Sequence, residues 1–211
     1  MVKKVEKILK ILKSKYRIKP RKEDPFTTLI ACILSQRTKD ETTEEAAKRL
    51  FSVARKPEEI LNLSTKKIEK LIYPVGFYRQ KAKRIKELCK ILLKRYEGKV
   101  PKTREELLML PGVGLKTADV VLSYGYGEAV VAVDTHVAVI SRRLGLTKSE
   151  DPEKIREDLH RLIPPKLRRS VNILFVEFGK DVCRTFKPKC SVCPLKNYCR
   201  YYKEIKGKES S

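Results

Sequence analysis

Apolar positions along this chain recur at three- and four-residue spacing almost throughout, the period of helices that bury one face. Val5, Ile8, Ile11 and Leu12 set such a stripe near the amino terminus, and Leu88, Ile91, Leu92 and Tyr96 set another in a long central segment. Short punctuating stretches separate the runs: KPRKEDP at 19–25, RKPEE at 55–59, YPVG at 73–76, EGKVPKT at 97–103 and IPPK at 163–166. Only AVVAVD at 129–134 has strand character, and one short run cannot build a sheet. The pattern predicts an all-α fold with short connections, without repeats, and with a disordered tail after about Lys206.

Composition narrows the partners. A chain of 211 residues can bury one good core or two small domains that share helices. Its 49 Lys and Arg outnumber 26 Asp and Glu, a formal charge of +23 that exceeds what solubility requires and fits a polyanion, by default nucleic acid. A membrane surface is the competing partner for so basic a chain, but no 18-residue apolar run exists and the amphipathic segments read as core-facing helices, so no membrane partner is expected. Charged residues make up 36% of the chain while Gln is confined to Gln36 and Gln80 and Asn to Asn62, Asn172 and Asn197, the bias of proteins from hot environments.

Four of the six cysteines, Cys183, Cys190, Cys193 and Cys199, are spaced C-x6-C-x2-C-x5-C among lysines and arginines. Four thiolates this close can hold zinc or an iron-sulfur cluster. Disulfides are the plainer alternative, but the opening MVKKVEKILKILKSKY has neither a long apolar core nor a cleavage site for export, so an intracellular protein with reduced thiols is expected. Zinc ribbons usually pair two C-x2-C knuckles, whereas only Cys190 and Cys193 form one here, and that asymmetry leans towards a cubane cluster. Cys32 and Cys89 lie in apolar runs and read as core.

A second informative segment is LPGVGLKTADVV at 110–121, between two helical stretches. Gly112 and Gly114 permit positive φ and would let N–H groups at the start of the next helix converge on a phosphate, although a plain helix–helix turn would use the same residues. On that helix Leu115, Ala118, Val121 and Leu122 form the expected buried stripe, which leaves Lys116 and Ser123 on another face. Lys116 either stands where the sugar of a bound nucleotide would lie, beside the turn, or is a solvated, phosphate-contacting lysine. Further on, Val133, Val137, Ile140 and Leu144 mark a helix whose first turn carries Asp134, an N-cap or an electrostatic stabiliser, and His136, which reads more as a packing or hydrogen-bonding group than a catalyst.

LPGVGLKTADVVL, then VAVDTHV, then the cysteine pattern resembles, in order, the endonuclease III family of helix-hairpin-helix DNA glycosylases with a [4Fe-4S] cluster; the resemblance runs from about Phe26 to Cys199 and includes GFYRQKA at 76–82. It implies a six-helix barrel at 20–128 and a cluster domain made of 1–19 and 129–211, with double-stranded DNA held across the cleft between them. It implies a cytoplasmic or nucleoid-associated enzyme, expected to be monomeric, that removes oxidised pyrimidines and cleaves abasic sites. Lys116 would form the Schiff base and Asp134 would stabilise the developing charge. Candidate DNA contacts are Gly112, Val113, Gly114 and Thr117 at the hairpin, Gln36, Arg37 and His136, the Phe77 wedge, and Arg184, Lys187 and Lys189 in the cysteine loop. Arg37 stands where similar sequences commonly have Gln, which leaves the opposite-base preference open. Two other readings stay open: a mismatch or uracil glycosylase, which Lys116 disfavours, and a non-catalytic DNA-binding sensor, in which Lys116 and Asp134 would be idle.

Overall fold

The computed structural model describes residues 1–18 and 22–209, side chains included as far as Ile205, so part of the KPRKEDP connection lies outside the described residues. Among the described residues twelve α-helices follow in order: α1 Val2–Tyr16, α2 Pro25–Ser35, α3 Asp40–Phe51, α4 Pro57–Asn62, α5 Thr65–Ile72, α6 Tyr78–Tyr96, α7 Arg104–Leu108, α8 Leu115–Val120, α9 Thr135–Arg143, α10 Pro152–Leu162, α11 Pro165–Asp181 and α12 Arg200–Glu209. The tail expected to be disordered after about Lys206 lies outside the residues whose side chains are described, which end at Ile205. No strand occurs among the described residues, and none of their helices is long and apolar enough to cross a membrane.

Local chemistry sets the helix starts. Asp24, Ser64, Thr103, Asp134 and Asp151 each accept a backbone N–H from the first turn of α2, α5, α7, α9 and α10. Pro25, Pro57, Pro152 and Pro165 stand near the start of their helices, where a missing N–H costs nothing. The helix α6 stops at Glu97 and Gly98, both left-handed.

The chain divides into two compact units, Lys22–Gly127 on one side and Met1–Arg21 with Glu128–Ser211 on the other. In the first, α2 is the central element: Leu29, Ile30, Ile33 and Leu34 are fully buried, and the helix packs on α3, α6 and α8. Helix α8 runs on into a π-helical turn, Val121–Tyr126, which packs on α2. A Cβ on Gly125 would lie 3.0 Å from Pro25 Cα, so this turn needs glycine for its close approach to the start of α2.

In the second unit, Val5, Ile8, Leu9 and Leu12 of α1 meet Val137 and Ile140 of α9 and Val171, Leu174, Phe175 and Phe178 of α11 in one core. The stretch with strand character, 129–134, is irregular and forms no strand. Side chains do the pairing instead: His160 accepts the Val131 N–H, Asn172 donates to the Ala132 carbonyl and Arg168 to that of Ala129.

Candidate functional site

The hairpin joins α7 to α8. Gly112 has φ 81°, a left-handed backbone that favours glycine, and a Cβ there would push the Arg84 side chain aside, 2.3 Å from its Cδ. Gly114 departs from expectation. Its φ is −103° with extended ψ, open to any residue, and a Cβ there would meet nothing within 4 Å. No side chain caps α8, which leaves the N–H groups of its first turn for an outside acceptor.

Lys116 is exposed on that first turn. The expected stripe is corrected around it: Leu115 is 36% exposed, while Thr117, Ala118, Asp119 and Ser123 are buried. Asp119 is buried as a pair with Arg104, Nε to Oδ1 at 3.0 Å, beside Ala118, Val121 and Leu122 of the stripe. Thr117 and Val113 are also buried, and only their backbone is left for contact. Burial pushes the nearby Cys32 thiol up to about 12, with Lys116 offsetting part of the effect. Cys32 also lines a pocket with Thr28, Ser35 and Thr43, so it is less a core residue than Cys89.

Two further loops are tied to the hairpin. Gln36 donates from Nε2 to the Gly112 carbonyl at 2.9 Å, which ties the end of α2 to the hairpin. Arg37 and Phe77, at φ 51° and 57°, are both left-handed, and the Arg37 guanidinium lies over the Phe77 ring. Phe77 is 55% exposed, so it is not a core phenylalanine.

In the other unit Asp134 caps α9. Its Oδ1 accepts the Val137 N–H at 2.8 Å and its Oδ2 accepts from Asn172 at 3.1 Å, which fixes the carboxylate's orientation. His136, two residues on, sits against α11, where a Cβ on Gly179 would lie 2.2 Å from its Nδ1. That close approach is one of packing.

The far end of α9 carries Arg143, which donates to the carbonyls of Arg184 and Thr185 at 2.8 and 2.9 Å and lies 3.4 Å from Cys183 Sγ. All four clustered cysteines are free and line one pocket with Arg143. Among the described residues no three His, Cys, Asp or Glu side chains converge closely enough to hold a single metal ion. Burial pushes the Cys183 and Cys190 thiols up, and that of Cys193 to about 11. Arg184, Lys187 and Lys189 are exposed around this pocket.

Residues 30–165 match the model of the HhH-GPD superfamily of base excision DNA repair proteins. Endonuclease III of Thermotoga maritima is 44% identical over 199 residues, 94% of this chain and 93% of that protein. This chain belongs to the endonuclease III family. The Rickettsia conorii endonuclease III is 39% identical over 96% of this chain and 98% of its own length. A trapped endonuclease III–DNA covalent intermediate, an estranged-adenine complex, superposes with a TM-score of 0.87 at 33% identity, covering 98% of this chain and 99% of that one. A thermostable thymine-DNA glycosylase superposes with a TM-score of 0.86 at 27% identity, over 96% and 98% of the two chains. The all-α fold expected from the pattern is thus the fold of endonuclease III.

Within this endonuclease III fold, three residues were not singled out by sequence. Asp119 and Lys81 are charged residues at buried helix positions, and Arg143 ends an otherwise ordinary helix. The signal for Lys81 was present: it lies four residues before Ile85 and seven before Leu88, on the apolar stripe of α6.

Proposed function

We propose that the protein is a bifunctional DNA glycosylase and abasic-site lyase that removes oxidised pyrimidines from duplex DNA. Lys116 is its nucleophile and Asp134 its electrostatic partner. The observation that carries this reading is Lys116 itself: an exposed amine on an uncapped helix start, directly after a hairpin suited to a phosphate. A glycosylase that used water alone would have no need of an amine there.

The damaged base is rotated out of the stack, at a cost lowered by its weakened pairing. The neutral amine of Lys116 bonds to C1′, and the base departs with the electron pair of the N-glycosidic bond and takes up a proton. Ring opening gives a protonated imine. Loss of a C2′ proton then expels the 3′ phosphate with the electrons of the C3′–O bond, and water releases Lys116 and an unsaturated aldehyde. Asp134, held by two hydrogen bonds, stabilises the cationic stage without having to reorganise.

The four cysteines hold a [4Fe-4S] cluster in this reading. Free thiols around a shared pocket, rather than converging on a point, suit a cluster better than a single ion. Cys183, Cys190, Cys193 and Cys199 would be its ligands, leaving no open position for hydrolysis, and the group would serve as a structural clamp on the basic loop. The enzyme works as a monomer inside the cell, on chromosomal DNA, where reduced thiols persist.

The test is borohydride trapping on a labelled duplex with one thymine glycol, using Lys116→Ala as control. A covalent adduct that vanishes in the variant supports the reading. Intact binding with no adduct from the native protein rejects it and moves weight to the mismatch-glycosylase or sensor alternatives.

A further inference from the structure

Lys81 occupies a place where the pattern of α6 calls for an apolar side chain, on the face it shares with Ala82, Ile85 and Leu88, and it is only 3% exposed. Its three partners are all neutral: the carbonyls of Leu34 and Gln36 at 2.8 and 2.5 Å, and Thr38 Oγ1 at 3.2 Å. Burial, with repulsion from Arg84, lowers its pKa to about 8. The fold therefore holds this ammonium against its desolvation cost, and a buried ionic group can often be replaced by an apolar one without loss of stability.

What the ammonium supplies is shape. The carbonyls of Leu34 and Gln36 belong to the carboxyl end of α2, where a cation also opposes the helix dipole. Thr38 Oγ1 in turn accepts the Gly76 N–H at 3.2 Å, and a Cβ on Gly76 would lie 2.6 Å from the Arg37 carbonyl oxygen. One ammonium thus pins the 36–38 loop to the turn that opens α6. Those two loops carry the left-handed residues Arg37 and Phe77, stacked on each other.

We propose that Lys81 is a positioning residue: by joining the two loops it holds Arg37 and Phe77 as one preformed wedge that enters the duplex beside the extruded nucleotide. The inference rests on the glycosylase reading above. A wedge ordered before binding spares the complex the entropy of ordering it afterwards. Lys81 itself stays buried and acts only through the loops it joins.

The experiment compares the native protein with Lys81→Met and Lys81→Arg on an abasic site placed in duplex and in single-stranded DNA, where nothing has to be extruded. Borohydride trapping by Lys81→Met should fall by roughly tenfold or more on the duplex, and stay within about twofold on the single strand. Lys81→Arg, which keeps the charge and donors, should recover part of the loss. In parallel, 2-aminopurine opposite a tetrahydrofuran abasic analogue reports wedge entry without chemistry, and Lys81→Met should lower the fluorescence gain. If Lys81→Met does not fold, Thr38→Val removes one of the ammonium's three bonds together with the Gly76 N–H bond, and should show a smaller loss that is again selective for the duplex. Equal losses on both strands, or native duplex trapping and fluorescence in the variants, would overturn the proposal. A native protein that traps on neither strand would instead overturn the lysine-lyase reading, and the fluorescence would then decide the role of Lys81.

Discussion

The guanidinium of Arg37 lies over the ring of Phe77, 5.6 Å from its centroid, and the two residues share a left-handed backbone although neither is glycine. This stack joins a donor-only head to a flat apolar face. An aromatic can occupy a gap in the base stack, and a guanidinium beside it can read the base left unpaired.

Arg37 should set the opposite-base preference. Guanidinium has five donors and no acceptor, so it matches the adjacent N3 and O2 acceptors on the pairing edge of cytosine better than the alternating donor and acceptor of adenine. Glutamine, with one of each, suits adenine. The native protein should bind a tetrahydrofuran site opposite cytosine roughly tenfold more tightly than one opposite adenine, the scale of one good bidentate contact. Arg37→Gln should level or reverse that order in a fluorescence-anisotropy titration, and an unchanged order would remove Arg37 from base reading.

Lys116 and Asp134 should separate binding from chemistry. Lys116→Gln should keep duplex affinity and lose trapping and strand cleavage altogether. Asp134→Asn keeps a good N-cap for the Val137 N–H, so its melting temperature should move by only a few degrees. Its rate of base release should nevertheless fall by about a hundredfold or more, because a neutral amide cannot balance the cationic stage. A variant that melted far lower and lost activity in proportion would make Asp134 a cap alone.

The helices and their order were legible because apolar spacing, prolines and caps agree along the chain. Asp134 after an apolar run and before Val137 reads as a cap, and it is one. The hairpin was legible at Gly112 but not at Gly114, since glycine marks where a side chain is absent without saying whether φ or space demands it. The stripe of α8 was misread at Leu115 and Ser123, and the Arg104–Asp119 pair is buried beside it, whereas periodicity assumes that charges face water. Lys81 escaped notice for the same reason.

The buried ammonium of Lys81 should leave a mark on the pH dependence of stability. Below about pH 8 the folded and unfolded chains both hold its proton, and the full cost of burying the charge is present. Between about 8 and the ordinary lysine value of 10.5, only the unfolded chain holds it, so unfolding takes up a proton and stability rises with pH. Other lysines cancel when the native protein is compared with Lys81→Met. Urea midpoints at pH 7 and pH 10 should therefore move in favour of the native protein at the higher pH, and a difference independent of pH would mean that the lysine titrates alike in both states.

Cluster removal should weaken DNA binding while sparing the amine chemistry. The loop with Arg184, Lys187 and Lys189 has a cysteine at each end, and Arg143 ties its carbonyls to α9. A cluster that fixes those ends lets the charges meet phosphates with less loss of loop entropy. Protein purified without oxygen should be brown and contain about four irons per chain, and Cys199→Ser should lose both colour and iron. That variant should bind duplex more weakly, with a shallower salt dependence, as phosphate contacts are lost. Its Lys116 lies in the other compact unit, so trapping on a single-stranded abasic site should persist. A colourless, zinc-loaded native protein would reject the cluster, and trapping lost on every substrate would show that the two units do not fold independently.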